Sequence, residues 1–143
     1  QLVKDKTILY GERTIKSPFE AQMLFREIIG EKDREHFAVL CVDTKNRPTH
    51  FQVVHIGNLN SAIVSPREVF KVAILANAAC VMFFHNHPSG DVAPSPQDIE
   101  ITERLKDSGD LLGIAVLDHI IVGEDMNYTS LAQRGYLNST RSV

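Results

Sequence analysis

The sequence predicts one α/β domain in which helices cover a sheet, and three observations lead to this prediction. The chain has 143 residues, 43% of them hydrophobic, which is enough apolar material for one core. Three Ser-Pro pairs, beginning at Ser17, Ser65 and Ser95, have the composition of helix starts. Runs of apolar and β-branched residues with the length of strands lie between them. We expect the domain to span residues 1–143, with its core in about residues 15–137.

The first half of the chain predicts a helix followed by a hairpin. Ser17, with the proline and glutamate that follow it, starts a helix that should continue to about Gly30. The residues from His36 to Asp43 are mostly apolar or β-branched, as in a buried strand. Residues 45–48 have the composition of a turn, and a second strand is predicted over residues 49–57. The two strands should therefore form an antiparallel hairpin.

The middle of the chain predicts a helix and then a central strand. Ser65 starts the helix, whose apolar residues recur at helical spacing until it ends near Ala79. Cys80 to Phe84 have the length and composition of a buried strand. The following residues, His85 to Gly90, include Pro88 and a glycine that break regular structure. This strand should therefore place its histidines at its own carboxyl end.

The last part of the chain predicts a third helix and one more strand. Ser95 starts a helix that should continue to Ser108 or Gly109. A strand is predicted from Ile114 to Val122. The stretch from Tyr128 to Val143 mixes polar and apolar residues without a clear period, so its end is expected to be frayed.

Composition and charge disfavour several classes of protein. The net charge of -3 and the pI near 6.1 argue against the basic surface of a general nucleic-acid binder, so we expect nucleic-acid binding to be weak or absent. The longest apolar run, Cys80 to Phe84, is far shorter than the roughly 20 residues of a membrane-spanning helix. The first residues also lack the apolar centre of a signal peptide, so a cytoplasmic protein is expected. Cys41 and Cys80 lie in apolar runs, where buried and reduced thiols are expected.

Two histidines and a carboxylate suggest a metal site. Side chains alternate along a strand, so His85 and His87 can point to the same side while Asn86 points away. Asp98 follows in the first turn of a predicted helix, where an ionised carboxylate is favoured. Three such ligands leave a fourth position for water, as in catalytic zinc sites. The alternatives are solvated loop histidines and an Asp98 that only forms a capping box with Ser95.

The spacing of these residues resembles that of a known family. His85-Asn86-His87-Pro88, six further residues, Ser95, two residues and Asp98 match the signature of the JAMM, or MPN-plus, metalloproteases. Within that superfamily the chain is similar to RadC-type proteins in five segments: Arg34–Phe37, Asp43–Arg47, Pro66–Phe70, His85–Asp91 and Leu117–His119. The resemblance implies a JAMM/MPN-like fold, with a mixed, mostly antiparallel sheet flanked by helices.

The same resemblance implies a function and a set of site residues. A JAMM-type protein is a zinc-dependent hydrolase, which here would cleave a peptide or isopeptide bond in a peptide or protein substrate. The family's metal ligands fall on His85, His87 and Asp98, with one zinc ion per chain. Its hydrogen-bonding serine falls on Ser95.

The general base that the resemblance implies is a glutamate located where a helix is followed by a strand. Glu35, directly before the predicted strand at His36, is the matching position. Glu31 and Glu68 are alternatives, although Glu68 is better explained as a helix-capping residue. A solvated charge is the other explanation of Glu35.

The chain departs from the family pattern in two ways. Asn86 stands between the histidines, where deubiquitinating members usually have Ser or Thr, so ubiquitin cleavage is not implied. Nothing in the sequence matches the helix-hairpin-helix region that RadC proteins commonly carry, so DNA association through that region is not implied either. The alternative function is a DNA-repair-associated accessory or interaction module with a structural or vestigial metal site. His119, next to Asp118, is expected to be satisfied within the sheet rather than to join a network at the site.

Overall fold

A computed structural model describes residues 6–8, 14–30, 33–59 and 64–137. These residues form three helices and six strands, in agreement with the predicted α/β class. In chain order the elements are β1 (Lys6–Ile8), α1 (Pro18–Ile29), β2 (His36–Val42), β3 (Pro48–Ile56), α2 (Pro66–Leu75), β4 (Cys80–Asn86), α3 (Pro96–Leu112), β5 (Ala115–Val122) and β6 (Tyr128–Ser130).

The strands form one mixed sheet in the order β1-β3-β2-β4-β5-β6. β2 and β3 pair antiparallel, which confirms the predicted hairpin, and β2 also pairs antiparallel with β4. β4 and β5 are the parallel pair, and α3 provides the crossover between them that parallel strands require. The sheet is therefore mixed and mostly antiparallel, as the resemblance implied.

Helices cover both faces of the sheet. Alternate residues of β2 point to opposite sides, so Ala38, Leu40 and Val42 pack in the core beneath α1. Phe37, Val39 and Cys41 pack in a second core beneath α2 and α3. The fully buried strands β2 and β4 are almost continuously apolar for this reason.

The three predicted helix starts are present, but they are capped in different ways. Ser95 and Asp98 form a complete reciprocal capping box at α3. The Ser17 side chain caps α1 by accepting a hydrogen bond from the Glu20 backbone. At α2 the Ser65 hydroxyl accepts from the Arg67 backbone, so the predicted capping role of Glu68 is wrong and this residue is only an acidic side chain in the first turn.

Several predicted boundaries were wrong. β4 continues through Asn86, because pairing with β2 and β5 extends beyond the apolar run. α2 ends at Leu75, before the predicted Ala79, and α3 continues past Ser108 to Leu112. Strands β1 and β6 were not predicted, because three-residue strands have no detectable period.

The free cysteines differ in burial. Cys41 is buried in β2 as predicted, whereas Cys80, the first residue of β4, is only partly buried. Burial raises the pKa of the Cys80 thiol, and the charge of Asp43 raises it further. No helix in the part of the chain that the structure describes is long and apolar enough to cross a membrane.

Candidate metal centre

The sheet topology brings together two segments that are distant in sequence. β2 and β4 are antiparallel, so the amino end of β2 lies beside the carboxyl end of β4, with Phe37 opposite His85. Glu35 directly precedes β2, and its carboxylate Oε1 lies 2.6 Å from His85 Nε2. Glu35 therefore lies between a helix and a strand, where the resemblance placed the family's glutamate.

His85, His87 and Asp98 come together as the sequence predicted. His85 Nδ1 lies 3.3 Å from Asp98 Oδ1, and His87 Nε2 lies 3.3 Å from Asp98 Oδ2. One potential ligand atom from each residue lies within 4.8 Å of the others. The side chains of His85 and Asp98 are 1% and 2% exposed, whereas that of His87 is 15% exposed. These three residues form a group that could hold a metal ion, with solvent access from the side of His87.

Hydrogen bonds leave one nitrogen of each imidazole available for a metal. His87 Nδ1 donates to the Asp91 carbonyl oxygen at 2.7 Å, which leaves its Nε2 lone pair facing Asp98. His85 Nε2 donates to Glu35, and its buried Nδ1 has no hydrogen-bond partner among the described residues. The two separations of 3.3 Å involve different oxygens of Asp98, and the ligand atoms of all three residues lie close enough together to hold one ion. An orphaned buried nitrogen beside a carboxylate therefore fits a bound metal ion.

The electrostatics of the three residues favour an ionised carboxylate. Burial raises the pKa of Asp98, but the two imidazoles and the Ser95 backbone N–H lower it by more, so its pKa is well below the ordinary value. The contact with Asp98 raises the pKa of His87, despite an opposing effect of burial. One of these interactions comes from the helix start, where Ser95 N donates to Asp98 Oδ2 at 2.8 Å. The capping box thus holds Asp98 as an anion facing the histidines.

Asn86 is a structural component of the site that sequence reasoning missed. Its side chain points away from the two histidines and is 9% exposed. Its Oδ1 accepts from the His36 backbone N–H at 2.6 Å, and its Nδ2 donates to the Arg34 carbonyl at 2.9 Å. Asn86 therefore fixes the backbone on both sides of Glu35. The amide offers both the acceptor and the donor that these two backbone groups need, which is a physical reason for Asn between the histidines.

Behind the histidines lies a buried network that includes His119. The Thr102 hydroxyl donates to the Asp98 carbonyl at 2.7 Å and accepts from His119 Nδ1 at 2.6 Å. Burial lowers the pKa of His119 to about 3, so the ring is neutral. Asp118 points to the opposite face, where it bonds to Ser130, so no Asp-His side-chain pair forms. The expectation that His119 is satisfied within the sheet is therefore wrong, because its Nδ1 bonds to Thr102 of α3 and so joins a network that reaches Asp98. The His119 ring lies beside the site, and its Nε2 has no partner among the described residues.

The predicted site residues line one groove of about 970 Å³. Glu35 and Ser95 both border it, together with the metal-binding group. Glu68 is not among the lining residues, and Glu31 lies outside the described residues. The Ser95 oxygen accepts from the Asp98 backbone N–H at 3.0 Å, so its own proton remains available to a ligand. The groove can therefore offer metal ligands, a carboxylate and a hydroxyl donor to one bound molecule.

Comparisons with known proteins agree with this arrangement. A family model described as "RadC-like JAB domain" matches residues 15–136. A UPF0758 protein from Desulforudis audaxviator is 52% identical over 122 residues, which cover 85% of this chain and 53% of the relative. UPF0758 proteins from Syntrophomonas wolfei and Methanosarcina barkeri are 50% and 48% identical, over 87% and 88% of this chain and 54% and 55% of their own lengths. The chain thus spans about half the length of the curated relatives it matches.

Proposed function

The chain belongs to the RadC-like JAB domain family, and from this premise we propose that it is a zinc-dependent hydrolase that cleaves a peptide or isopeptide bond. One observation carries the proposal. Two histidines and an ionised aspartate, set up to bind one metal ion, lie in the same groove as a second carboxylate and a free hydroxyl donor. This is the set of groups that metal-assisted amide hydrolysis requires.

In this proposal His85, His87 and Asp98 hold the zinc ion. When bound, zinc would supply Lewis acidity that polarises a substrate carbonyl and lowers the pKa of a water molecule toward roughly 7. Hydrogen bonds to the backbone hold two of these ligands in place. His87 Nδ1 donates to the Asp91 carbonyl, and Asp98 Oδ2 accepts from the Ser95 N–H.

Glu35 is proposed as the general base. Its Oε1 accepts the hydrogen bond from His85, while its side chain, 25% exposed, borders the groove. A carboxylate in this position can accept a proton from the attacking water and later donate it to the leaving amine. The bond to His85 gives Glu35 a second effect, because it orients the imidazole whose other nitrogen faces Asp98.

Ser95 is proposed to stabilise the negative charge that develops on the substrate carbonyl oxygen. Its oxygen is fixed by the Asp98 backbone N–H, and its proton is free to donate into the groove. A donor of this type can contribute on the order of 3 kcal/mol to the stabilisation of the transition state.

The lining of the groove disfavours nucleic acid as the substrate. Among the described residues that line the groove, the ionisable ones apart from the histidines are three carboxylates and one guanidinium, those of Asp33, Glu35, Asp98 and Arg34. With a bound zinc ion of charge +2 these groups sum to about zero, so the groove lacks the excess of positive charge that a phosphate backbone requires. We therefore prefer a peptide substrate to a DNA-associated role for this site.

The proposal is tested by digesting an unbiased peptide library with the zinc-loaded protein. The wild type and Glu68→Gln are expected to cleave the same bonds, because Glu68 is outside the groove. Glu35→Gln is expected to retain zinc, since its amide oxygen can still accept from His85, but to lose roughly 100-fold to 10,000-fold in rate. Cleavage by Glu35→Gln at the wild-type rate would contradict the assignment of the base. Zinc binding without cleavage of any library peptide would contradict the proposed activity.

A further inference from the structure

A second cavity adjoins the metal centre, on the other side of His87 and Pro88. This cavity, here called the loop pocket, has a volume of about 660 Å³. It lies between α1, the loop of residues 87–95 that joins β4 to α3 (here called the histidine loop) and the turn that joins β5 to β6. His87 and Pro88 border both the loop pocket and the groove of the metal centre. We propose that the loop pocket binds a lysine or arginine side chain of the peptide substrate, next to the bond that is cleaved. This inference rests on the proposed function, because it names the substrate class of that site.

The apolar lining of the loop pocket fits the methylene groups of a long side chain. Ile29 of α1 and Met126 of the turn contribute most of the apolar surface, and the nearly buried Phe25 and Val122 complete the wall. Lysine and arginine commonly pack their methylene groups against such a surface and keep the charged end near water. The volume lies within the range of known ligand sites, about 300–1,000 Å³.

The charge of the pocket wall favours a cation. Glu124 and Asp125 are exposed acidic residues on the wall, and neither carboxylate has a hydrogen-bond or ion-pair partner among the described residues. Among the described residues of the wall, Arg26 is the only basic one apart from His87, and its guanidinium donates to the Gly123 and Asn127 carbonyls and to Gln22. The two carboxylates outnumber this guanidinium, so the sum of these three charges is negative.

The pocket wall is firmly held in place beside the histidine loop. His87 N donates to the Val122 carbonyl at 2.9 Å, and Arg26 ties down both ends of the turn. A Cβ atom at Gly123 would lie 2.5 Å from the Gly90 carbonyl oxygen, so the strand end and the loop are in close backbone contact. Met126 has a φ of 65°, a backbone conformation that residues other than glycine seldom adopt. The backbone that carries the two carboxylates is thus held beside the proposed catalytic centre by these hydrogen bonds.

The test measures binding directly, without any need for hydrolysis. The chain has three methionines, and only Met126 lines the loop pocket, so methyl-labelled methionine gives a specific NMR probe. The zinc-loaded protein is titrated with three small probes: N-acetyl-arginine methylamide, N-acetyl-leucine methylamide and N-acetyl-glutamate methylamide. The arginine probe is expected to shift the Met126 methyl signal and to leave that of the buried Met82 in place. The leucine probe should bind more weakly, and the glutamate probe should not bind.

A matched pair of variants tests the carboxylates. Glu124→Gln should weaken binding of the arginine probe by roughly 2-fold to 5-fold, the effect of one exposed charge pair. The double variant Glu124→Gln/Asp125→Asn should weaken it further. Glu103→Gln, which removes an exposed charge from α3 outside the pocket, should bind the probe as the wild type does.

Each outcome decides the question. Equal or stronger binding of the leucine probe, equal binding by the double variant and the wild type, or no shift of Met126 with any probe would each overturn the proposal. Selective arginine binding by a protein that cleaves no library peptide would support the pocket while the proposed hydrolase function fails. Cleavage without preference for a basic residue, together with an unshifted Met126, would leave the hydrolase function standing and refute the pocket.

Discussion

Replacing Gly123 with alanine should disturb the metal centre from outside its ligand set. The new Cβ would lie 2.5 Å from the Gly90 carbonyl oxygen and 2.7 Å from Val92 Cγ1, so the backbone of the histidine loop must move. The His87 carbonyl accepts from the Gly90 N–H, and the His87 N–H donates to the carbonyl of Val122, the residue before Gly123. We therefore expect His87 to shift as well. Zinc affinity should fall by about 10-fold to 100-fold, as for other losses of support around a metal site. The free energy of unfolding should fall by about 1–3 kcal/mol from overpacking.

Gly109→Ala is the matched control for this substitution. Its Cβ would lie 2.4 Å from the Ile114 carbonyl oxygen, an equally close backbone contact. Gly109 lies eleven residues beyond Asp98 in α3, which is about 16 Å along the helix axis. This variant should lose about 1–3 kcal/mol of unfolding free energy and keep the wild-type zinc affinity.

Two measurements separate the effects of the two alanines. Chemical denaturation of the zinc-free proteins gives their unfolding free energies, and competition with a chromophoric chelator gives their zinc affinities. If Gly123→Ala is destabilised as much as Gly109→Ala but retains the wild-type affinity for zinc, the histidine loop is not held in place by this contact and the reasoning is refuted.

Three further predictions concern the network around the ligands. Asn86→Asp should lower the free energy of unfolding by about 1–3 kcal/mol in urea denaturation, because the second carboxylate oxygen would face the Arg34 carbonyl. An unfolding free energy equal to that of the wild type would contradict the hydrogen bonds assigned to the amide. Thr102→Val should also destabilise the protein by about 1–3 kcal/mol, since it leaves His119 Nδ1 without its hydrogen-bond partner. Thr102→Ser should recover most of this loss, and equal stability of the two variants would refute the role of the hydroxyl. Glu35→Ala should weaken zinc binding by about 10-fold in chelator competition, because His85 loses its orienting carboxylate, while Glu35→Gln should not; equal losses would contradict this role.

The sequence was sufficient to predict the elements that have strong local signals. The three Ser-Pro helix starts and the apolar runs of β2 and β4 follow from capping chemistry and burial, which act within a few residues. The short strands β1 and β6 were missed because they owe their existence to pairing with longer strands. Tertiary pairing likewise carried β4 past its apolar run as far as Asn86.

The candidate site was predictable to a similar extent. His85, His87 and Asp98 were found from strand alternation, from a helix start and from the family signature, and the structure brings them together. The contact between Glu35 and His85 depends on the antiparallel pairing of β2 with β4, which no local pattern reveals. The same is true of the bonds from Asn86 to the backbone around Glu35, because they span about fifty residues of sequence.

Metal analysis tests the central claim most directly. The purified wild-type protein, His87→Ala and His55→Ala are compared by elemental analysis after dialysis against buffer with trace zinc. His55 lies in β3 outside the metal-binding group, so its removal controls for the loss of any histidine. We expect about one zinc ion per chain in the wild type and in His55→Ala, and none in His87→Ala, which retains only two of the three ligands. Equal zinc content in all three proteins, or no zinc in the wild type, would contradict the account.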